Sequence, residues 1–295
     1  MPTEHNATDV AIFGLGVMGG RAAERALAAG LSVTGYDPSE TSRSHSSEAG
    51  VTVTDNPSEA TTSSRVILLF LPLPEDVLKL VNEHLVNASR GTTVVDLSTV
   101  DPGTSRTAAL TLAEKGITYL DAPVLGRPQG CGTWTLVVGG EDQEISQVSE
   151  LLLATVAANV VRVGSTGAGS VVKLLNNLMF GAINAVTAEM LAICEDNHVD
   201  PALFVDTISN SGAATVSKLF LDLAPRMVSG DDDPVFSLKL LAKDVNLALS
   251  LAESSGTTAP IAATVAHINS LAMNLGLGHR DTSAVLEAYR DSPRA

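Results

Sequence analysis

Positive charge and cysteine are both scarce in this chain. Lys and Arg together number 18 against 33 Asp and Glu residues, which leaves a formal net charge of −15. Such a surface repels nucleic-acid phosphates and anionic lipid headgroups, so we expect neither as a partner. The two cysteines, Cys131 and Cys194, form no disulfide framework and stand in no metal-ligand spacing. A reducing, cytoplasmic location and the absence of a bound metal are therefore expected.

The sequence also has few aromatic residues and no clear hydrophobic anchor. Aromatics make up 3% of the chain, so the core must consist mainly of Ala, Val, Leu and Ile. The segment Met1–Asp9 is polar and lacks the layout of a secretion signal. The apolar run Val66–Leu71 ends at prolines, and the longer run Asn176–Cys194 contains Asn184 and Glu189. These features predict a soluble protein that has no membrane partner.

The pattern of apolar residues up to residue 164 is typical of an α/β domain. Short apolar runs alternate with helical stretches, as expected for parallel strands that are covered by helices on both faces. The predicted strands are Val10–Phe13, Ser32–Tyr36, Val66–Leu71, Thr93–Leu97, Thr118–Leu120 and Thr135–Val138. The predicted helices between them are Arg21–Ala29, Glu75–Val86 and Thr104–Lys115. The sequence thus predicts a doubly wound sheet over residues 1–164.

The remaining residues show only helical periodicity. A glycine-rich break at 164–169 precedes a long apolar helix that extends to about Cys194. The further predicted helices are Pro201–Ser209, Ala214–Leu221, Leu238–Ser254 and Ile261–Leu275. A chain of 295 residues favours two domains. We therefore expect an all-α carboxyl-terminal domain over residues 165–295 that serves substrate binding and dimerisation.

A glycine-rich turn, Gly14-Leu15-Gly16-Val17-Met18-Gly19, follows the first predicted strand. Its three glycines permit a tight turn, a close approach of the backbone to a pyrophosphate, and close packing of helix on strand. The second strand leads to Asp37, 18 residues beyond Gly19, where a carboxylate can accept hydrogen bonds from ribose hydroxyls. This acid favours NAD over NADP, although Arg43 could hold a 2′-phosphate and Asp37 could simply form a turn before Pro38. A Rossmann dinucleotide site is predicted.

Lys173 stands out in the apolar helix that opens the second half of the chain. Lys173 and Asn177 are four residues apart and so share one helix face, which Gly181 and Asn184 continue. A surface lysine whose stem packs on apolar residues is the ordinary alternative. The apolar surroundings favour a functional amine instead, because burial lowers the pKa of an amine towards the range useful for proton transfer.

Five ordered motifs together resemble the β-hydroxyacid dehydrogenases, the group that includes 3-hydroxyisobutyrate dehydrogenase. The resemblance extends from about Ala11 to Tyr289. The motifs are Gly14–Gly19, Asp96–Pro102, Asp121–Val124, the pattern Gly167-x-Gly169-x-x-x-Lys173-x-x-x-Asn177, and Lys243-Asp244. The resemblance implies a nicotinamide-dependent enzyme that oxidises the alcohol of a short β-hydroxy acid to an aldehyde or ketone, or catalyses the reverse reduction.

The same resemblance implies a role for individual residues. Lys173 is similar to the catalytic lysine that deprotonates the substrate hydroxyl, and Asn177 to the partner that aligns the substrate oxygen. Ser98 resembles a contact to the substrate carboxylate. Cofactor contacts are implied for Leu71, Pro72, Thr99 and Lys243. Two ordinary alternatives remain open: Lys243-Asp244 as an exposed ion pair, and Asp96–Thr99 as a strand end with a helix cap.

The loop after Asp121 departs from the family pattern. Where the family has a serine and two glycines, this chain has Leu125, Gly126 and Arg127. We expect this loop to bind substrate, with Arg127 able to hold a carboxylate, sulfonate or phosphonate through two hydrogen bonds. Sulfolactaldehyde reductases of this family have an arginine one position earlier. Arg127 as a surface or dimer-contact residue is the alternative, and Trp134 is expected to pack below the loop.

Other functions fit these residues less well. An imine reductase, or a non-catalytic cofactor-binding member, usually lacks the lysine found here at 173. A decarboxylating 6-phosphogluconate dehydrogenase needs a longer chain and a phosphate-binding set. A reductase for a sulfonated or other anionic short hydroxy-aldehyde stays open within the favoured class. The expected partners are a small anionic hydroxy acid or aldehyde and further copies of the chain, in a homodimer or homotetramer.

Overall fold

The computed structural model of the protein describes residues 8–290. Most of the polar amino-terminal segment in which no secretion signal was predicted therefore lies outside the described residues. The described chain forms two compact units, the first ending at Lys173 and the second beginning at Leu174. The boundary expected from the sequence, at residue 164, coincides with the end of the last strand.

The first unit is built on one mixed β-sheet. Its strands, within the described residues, are β1 Val10–Phe13, β2 Val33–Tyr36, β3 Thr52–Thr54, β4 Val66–Leu69, β5 Thr93–Asp96, β6 Thr118–Asp121, β7 Val124–Leu125, β8 Trp134–Gly139 and β9 Ala157–Gly164. The spatial order is β3-β2-β1-β4-β5-β6-β8-β7, with β9 paired to β8. Strands β1 to β6 are parallel, whereas β8 runs antiparallel to β6 and β7. The first six strands thus have the Rossmann order.

Helices cover both faces of this sheet. They are α1 Val17–Ala28, α2 Glu40–Glu48, α3 Pro57–Ser63, α4 Pro74–Glu83, α5 Pro102–Ala113 and α6 Asp142–Thr155. Strand β1 shows why its sequence is apolar throughout: Val10 and Ile12 belong to one hydrophobic cluster, and Ala11 and Phe13 to the other. Because successive strand residues point to opposite faces, a strand buried on both sides has no polar position.

The second unit consists of helices, apart from an isolated bridge between Ser237 and Asp281, over its described residues. The helices are α7 Ala168–Asp196, whose first turn belongs to the first unit, α8 Pro201–Asn210, α9 Lys218–Ser229, α10 Leu238–Ser254, α11 Pro260–Asn274 and α12 Leu286–Arg290. Asp200 and Ser217 cap α8 and α9 through their side chains. The predicted fold class, a Rossmann sheet followed by helices, is confirmed.

Several element boundaries predicted from the sequence were wrong. Helix α1 begins at Val17 and not at Arg21, so the glycine-rich turn runs directly into it. The helix expected over Ala214–Leu221 instead occupies Lys218–Ser229 and contains Pro225. The prediction also omitted β3, β7, β9, α2, α3, α6 and α12.

Helix α7 corrects a second expectation. By length and composition alone it could cross a membrane, so Asn184 and Glu189 do not exclude a span as we had inferred. In the structure 44% of its most apolar stretch is buried inside the protein. Asn184 is fully buried and its side-chain amide donates to the main-chain oxygen of Thr282 at 2.9 Å. Core helices of globular domains also pass this composition test.

Candidate active site

The glycine-rich turn lies between β1 and α1 and has no room for side chains at two of its glycines. Gly14 has a φ of +88°, and a Cβ there would lie 2.2 Å from the main-chain oxygen of Phe70. A Cβ on Gly19 would lie 1.8 Å from the oxygen of Gly14. At Gly16, in contrast, a Cβ would meet nothing within 4 Å. The middle glycine therefore leaves open space for a ligand to approach the backbone.

The start of α1 offers uncompensated backbone donors. Gly16 is the N-cap residue, so no side chain caps the helix, and its first turn contains no acidic residue. Val17 and Gly16 are exposed. The first N–H groups of a helix have no intrahelical acceptor and attract an anion. Together with the space at Gly16, this geometry fits the pyrophosphate of a dinucleotide.

Asp37 follows β2 and is almost completely buried, and its carboxylate is held by backbone amides. One oxygen accepts from the N–H of Leu15 at 2.8 Å, and the other accepts from the N–H of Ser39 at 2.8 Å. Nη1 of Arg43 donates to the main-chain oxygens of Asp37 at 2.7 Å and Pro38 at 3.1 Å. The acid expected from the sequence thus touches the glycine-rich turn directly.

Two neighbouring strand ends are joined at the same edge of the sheet. The N–H of Leu71, after β4, donates to Oγ of Ser98, after β5, at 2.8 Å. The N–H of Ser98 in turn donates to Asp96 Oδ1 at 2.9 Å. Ser98 is buried, Thr99 and Leu71 are half-buried, and Pro72 is exposed. The structure therefore brings the predicted residues Leu71 and Ser98 into contact.

A buried tyrosine on the neighbouring strand β6 holds the side chain of Asp96 through a hydrogen bond. The hydroxyl of Tyr119 donates to Asp96 Oδ2 at 2.6 Å. Burial, and then the negative charge of Asp96, raise the pKa of Tyr119 well above its ordinary value, so the phenol stays protonated as the donor. The Ser98 loop is thereby anchored to β6. No motif or spacing in the sequence indicated a role for this tyrosine.

Lys173 is half-buried in the first turns of α7, and its ammonium is fixed by a main-chain group. Its Nζ donates to the oxygen of Val124 at 2.8 Å. Val124 opens the short strand β7, which leads into the loop of Leu125, Gly126 and Arg127. The candidate proton-handling amine therefore lies against the segment whose sequence departs from the family.

Trp134 shapes that loop from inside the protein. The indole is buried, and its Nε1 donates to the main-chain oxygen of Arg127 at 2.7 Å. A Cβ on Gly126 would lie 2.5 Å from the indole ring, so only glycine fits there without a shift. Leu125 is half-buried, whereas Gly126 and Arg127 are exposed.

The carboxylate of Asp121, at the end of β6, lies at the start of α7. Its Oδ1 accepts from the N–H of Gly167 at 2.7 Å and its Oδ2 from the N–H of Ser170 at 2.9 Å. Burial raises the pKa of this carboxyl from 3.8 to about 6, although the two amide hydrogen bonds act in the opposite direction. Asp121 belongs to a motif noticed in the sequence, but no role had been predicted for it.

In the second unit, Asp244 links two of the predicted residues. Its Oδ2 accepts from Nδ2 of Asn177 at 2.6 Å, and its Oδ1 forms an ion pair with Nζ of Lys243 at 3.1 Å. Nδ2 of Asn176 donates to Oδ1 of Asn177 at 3.0 Å. Asp244 is buried and Lys243 only 18% exposed, so the pair is not the exposed surface pair considered as an alternative.

Two family models together match nearly the whole chain. Residues 9–164 match the NAD-binding domain of 6-phosphogluconate dehydrogenase, and residues 167–289 match the NAD-binding domain of NADP-dependent 3-hydroxyisobutyrate dehydrogenase. These matches agree with the open glycine-rich turn at α1, and they indicate a nicotinamide cofactor.

Characterised relatives and solved structures agree with the models. The chain is 30% identical to 3-hydroxyisobutyrate dehydrogenase of Pseudomonas aeruginosa, with 96% of this chain and 99% of the relative covered. It is also 30% identical to 3-sulfolactaldehyde reductase of Escherichia coli, with 96% of each covered. The crystal structure of 3-hydroxyisobutyrate dehydrogenase from Salmonella typhimurium superposes with a TM-score of 0.86 at 27% identity, over 95% of this chain and 99% of that one. This chain therefore belongs to the β-hydroxyacid dehydrogenase family of nicotinamide-dependent oxidoreductases.

Proposed function

We propose that the protein interconverts a short β-hydroxy acid and the corresponding aldehyde or ketone, with NAD as cofactor and Lys173 as the proton-handling residue. The observation that carries the proposal is the position of Lys173, whose half-buried amine donates to Val124 at 2.8 Å beside the loop that follows β6. An amine that is fixed in direction and partly shielded from water is suited to exchange a proton with an alcohol. Family membership supports the same assignment.

The proposed reaction divides into a hydride transfer and a proton transfer. A bound nicotinamide ring supplies the hydride acceptor for oxidation and the hydride donor for reduction. In the oxidation, the neutral amine of Lys173 takes the proton of the substrate hydroxyl, and the carbon–oxygen bond becomes a carbonyl. In the reduction, the ammonium returns that proton to the oxygen. The hydrogen bond to Val124 orients the amine in both directions.

Two polar side chains are proposed to hold the substrate. Since the N–H of Leu71 already occupies an acceptor site on Ser98, the hydroxyl of Ser98 can donate its own hydrogen to a substrate carboxylate. The amide of Asn177 gives one N–H to Asp244 and accepts from Asn176, which leaves its second N–H to align the substrate oxygen. Lys243 is proposed to contact the nicotinamide half of the cofactor, together with Leu71, Pro72 and Thr99.

NAD is proposed over NADP because of the charge at the end of β2. The buried carboxylate of Asp37 accepts two backbone hydrogen bonds and retains lone pairs for ribose hydroxyls. A 2′-phosphate placed there would meet a negative charge. Nη1 of Arg43 already donates to the main-chain oxygens of Asp37 and Pro38, so this nitrogen is engaged by the backbone and not by a phosphate.

A 3-hydroxyisobutyrate-like acid is the first candidate substrate, and a sulfonated or other anionic short hydroxy-aldehyde is the second. Arg127 favours the second: it is exposed in the loop after β7, and its main chain is fixed by the indole of Trp134. A guanidinium can bind a sulfonate or carboxylate through two parallel hydrogen bonds. The relative in Escherichia coli is a 3-sulfolactaldehyde reductase, which supports this alternative.

The proposal is tested by a panel of substrates with the purified protein. Reduction of NAD⁺ is followed with 3-hydroxyisobutyrate, other short 3-hydroxy acids and a hydroxypropane sulfonate, and the reverse reaction with NADH and the matching aldehydes. Turnover of at least one 3-hydroxy acid or sulfonate, abolished in Lys173→Ala, is expected. A protein that binds NADH tightly but turns over none of these compounds contradicts the proposal.

We also propose that the protein forms homodimers or homotetramers through α7. Four large apolar residues on this helix are 50% exposed or more, and three of them repeat every seven residues: Leu175, Met179, Val186 and Ile193. Such a stripe is typical of a helix that packs on another copy. Size-exclusion chromatography with light scattering is expected to give a dimer or tetramer, which Met179→Glu with Ile193→Glu converts to monomer.

The matched control for that experiment is Leu110→Glu, because Leu110 is 72% exposed on α5 and lies outside the stripe. A monomeric wild-type protein would contradict the proposal.

A cytoplasmic location is proposed because the protein has two cysteines and neither of them forms a disulfide. Recovery of the protein in the soluble cytoplasmic fraction would support this location. Recovery in the membrane fraction would contradict it and would indicate that the apolar stripe on α7 contacts lipid.

A further inference from the structure

The first turn of α7, which leads to Lys173, has no capping side chain at its N-cap position. The N-cap residue is Gly167, whose oxygen accepts the first helical hydrogen bond from Val171. Helices commonly close this end with a residue at the N-cap and a second at the N3 position, which satisfy the N–H groups of N3 and N-cap. In α7 these two N–H groups belong to Ser170 and Gly167, and both are donated to the carboxylate of Asp121.

The first turn of α7 packs closely against the ends of β6 and β8. A Cβ on Gly169 would lie 2.3 Å from the main-chain oxygen of Val137 and 2.7 Å from that of Asp121. A Cβ on Gly139 would lie 2.4 Å from Oδ1 of Asp121. Only glycines therefore let the first turn of α7 lie directly on the ends of β6 and β8. Substitution of either glycine must move the helix or the strand.

A third contact holds the same turn from another element. The hydroxyl groups of Ser105, on α5, and Ser170, on α7, are 3.0 Å apart in the buried interior. The first turn is thus fixed by β6 through Asp121 and by α5 through Ser105. Its position is over-determined, as is typical of elements that carry reacting groups.

Lys173 lies one helical turn beyond these contacts, about 4.5 Å along the axis from Ser170. Its ammonium returns to Val124, three residues beyond Asp121 in the same segment of chain. The segment that starts with Asp121 therefore positions both the backbone of Lys173 and the ammonium group of its side chain.

We propose that Asp121 is a positioning residue for the reaction, which holds the start of α7 so that the amine of Lys173 reaches the substrate oxygen. This proposal rests on the proposed catalytic role of Lys173. Asp121 itself is buried behind the helix and is not expected to contact substrate. A displacement of a reacting group by about 1 Å can reduce turnover on the order of a hundredfold.

The test compares Asp121→Asn with Asp281→Asn. Asparagine keeps the shape of the side chain but places an NH₂ against one of the two amide donors. Asp281 is a matched control: it is also buried and accepts the N–H groups of Val235 and Phe236, in the second unit. Asp121→Asn is expected to lower kcat by about 10- to 100-fold while the Kd of NADH changes by less than about threefold. Asp281→Asn is expected to cost stability without lowering kcat.

Two results would overturn the proposal: an unchanged kcat in Asp121→Asn, or equal losses of kcat in both variants. Lys173→Ala, measured in parallel, distinguishes a failure of the positioning role of Asp121 from a failure of the catalytic role of Lys173. If it is inactive and Asp121→Asn is fully active, the positioning role fails and the catalytic role stands; if Lys173→Ala is active, the proposed function itself fails. Should Asp121→Asn not fold, Gly169→Ala displaces the same turn and is expected to show the same selective loss of kcat.

Discussion

The amine of Lys173 donates a hydrogen bond of 2.8 Å to the main-chain oxygen of Val124. This contact joins the start of α7 to the segment that contains Asp121 and Arg127. A main-chain acceptor cannot be removed by substituting a side chain, and it fixes the direction of the amine without neutralising its charge. The candidate proton carrier is thus tied to the same loop that is proposed to recognise the substrate.

Asp37 is predicted to set the preference for NAD. In Asp37→Asn the ratio of kcat/KM for NAD⁺ to that for NADP⁺ should fall by about tenfold, since a repulsion of roughly 1.4 kcal/mol against the 2′-phosphate is removed. Affinity for both cofactors should also fall, because Leu15 and Ser39 donate to this carboxylate, so only the ratio is diagnostic.

The control for that measurement is Asp55→Asn. Asp55 is an exposed aspartate directly after β3, the strand that neighbours β2 at the edge of the sheet. It should leave the ratio unchanged. If the ratio of kcat/KM for the two cofactors is unaltered in Asp37→Asn, the carboxylate only holds the glycine-rich turn and does not set the cofactor preference.

Arg127 is predicted to bind the anionic group of the substrate. Arg127→Ala should raise KM for substrates with a carboxylate or sulfonate by about tenfold or more, the loss expected for a hydrogen bond to a charged group, while kcat changes little. Arg65→Ala, at an exposed arginine before β4, is the control. Steady-state kinetics that are the same in both variants would place Arg127 outside the substrate site.

The stability of the protein should carry a pH signature of Asp121. Its pKa is raised by burial from 3.8 to about 6, so the folded state holds this proton more tightly than the unfolded state does. The stability contributed by the protonated form is complete below pH of about 4 and is lost as pH rises to about 6, by at most about 1.4 kcal/mol for each pH unit.

This signature is measured as a difference. The free energy of unfolding in urea is determined for the wild type and for Asp121→Asn, which cannot titrate, at several pH values between 4.5 and 7.5. The wild-type value minus the variant value should decrease up to pH of about 6 and then stay level. A difference that is constant, or that increases with pH, would contradict the raised pKa.

Sequence patterns predicted the elements that bury apolar residues regularly. Strand β1 and helix α10 were predicted with their observed bounds, because each has a hydrophobic pattern and a clear beginning. Helix α2 was missed because its residues are almost all polar and only Ser46 is buried. Helix α9 was predicted to end at Leu221, whereas in the structure it continues to Ser229 with Pro225 inside the helix.

The parts of the site that could be predicted from sequence patterns are those formed by residues close together in the chain. The roles of Gly14 and Gly19 follow from a turn of fixed spacing, which the structure reproduces. The contact of Asp121 with Gly167 spans 46 residues, and that of Asn177 with Asp244 spans 67. Contacts of this kind depend on tertiary packing. The one local signal was a helix start, at Gly167, without a capping side chain.

The most direct test of the account is the rate of hydride transfer in Lys173→Ala. Stopped-flow measurement of NADH formation in a single turnover should show a loss of about 10²- to 10⁴-fold, the usual contribution of a general base, with the Kd of NADH nearly unchanged. Added methylamine should restore part of the rate in this variant, and Lys79→Ala, at an exposed lysine on α4, should behave as wild type. Wild-type hydride transfer in Lys173→Ala would contradict the central claim.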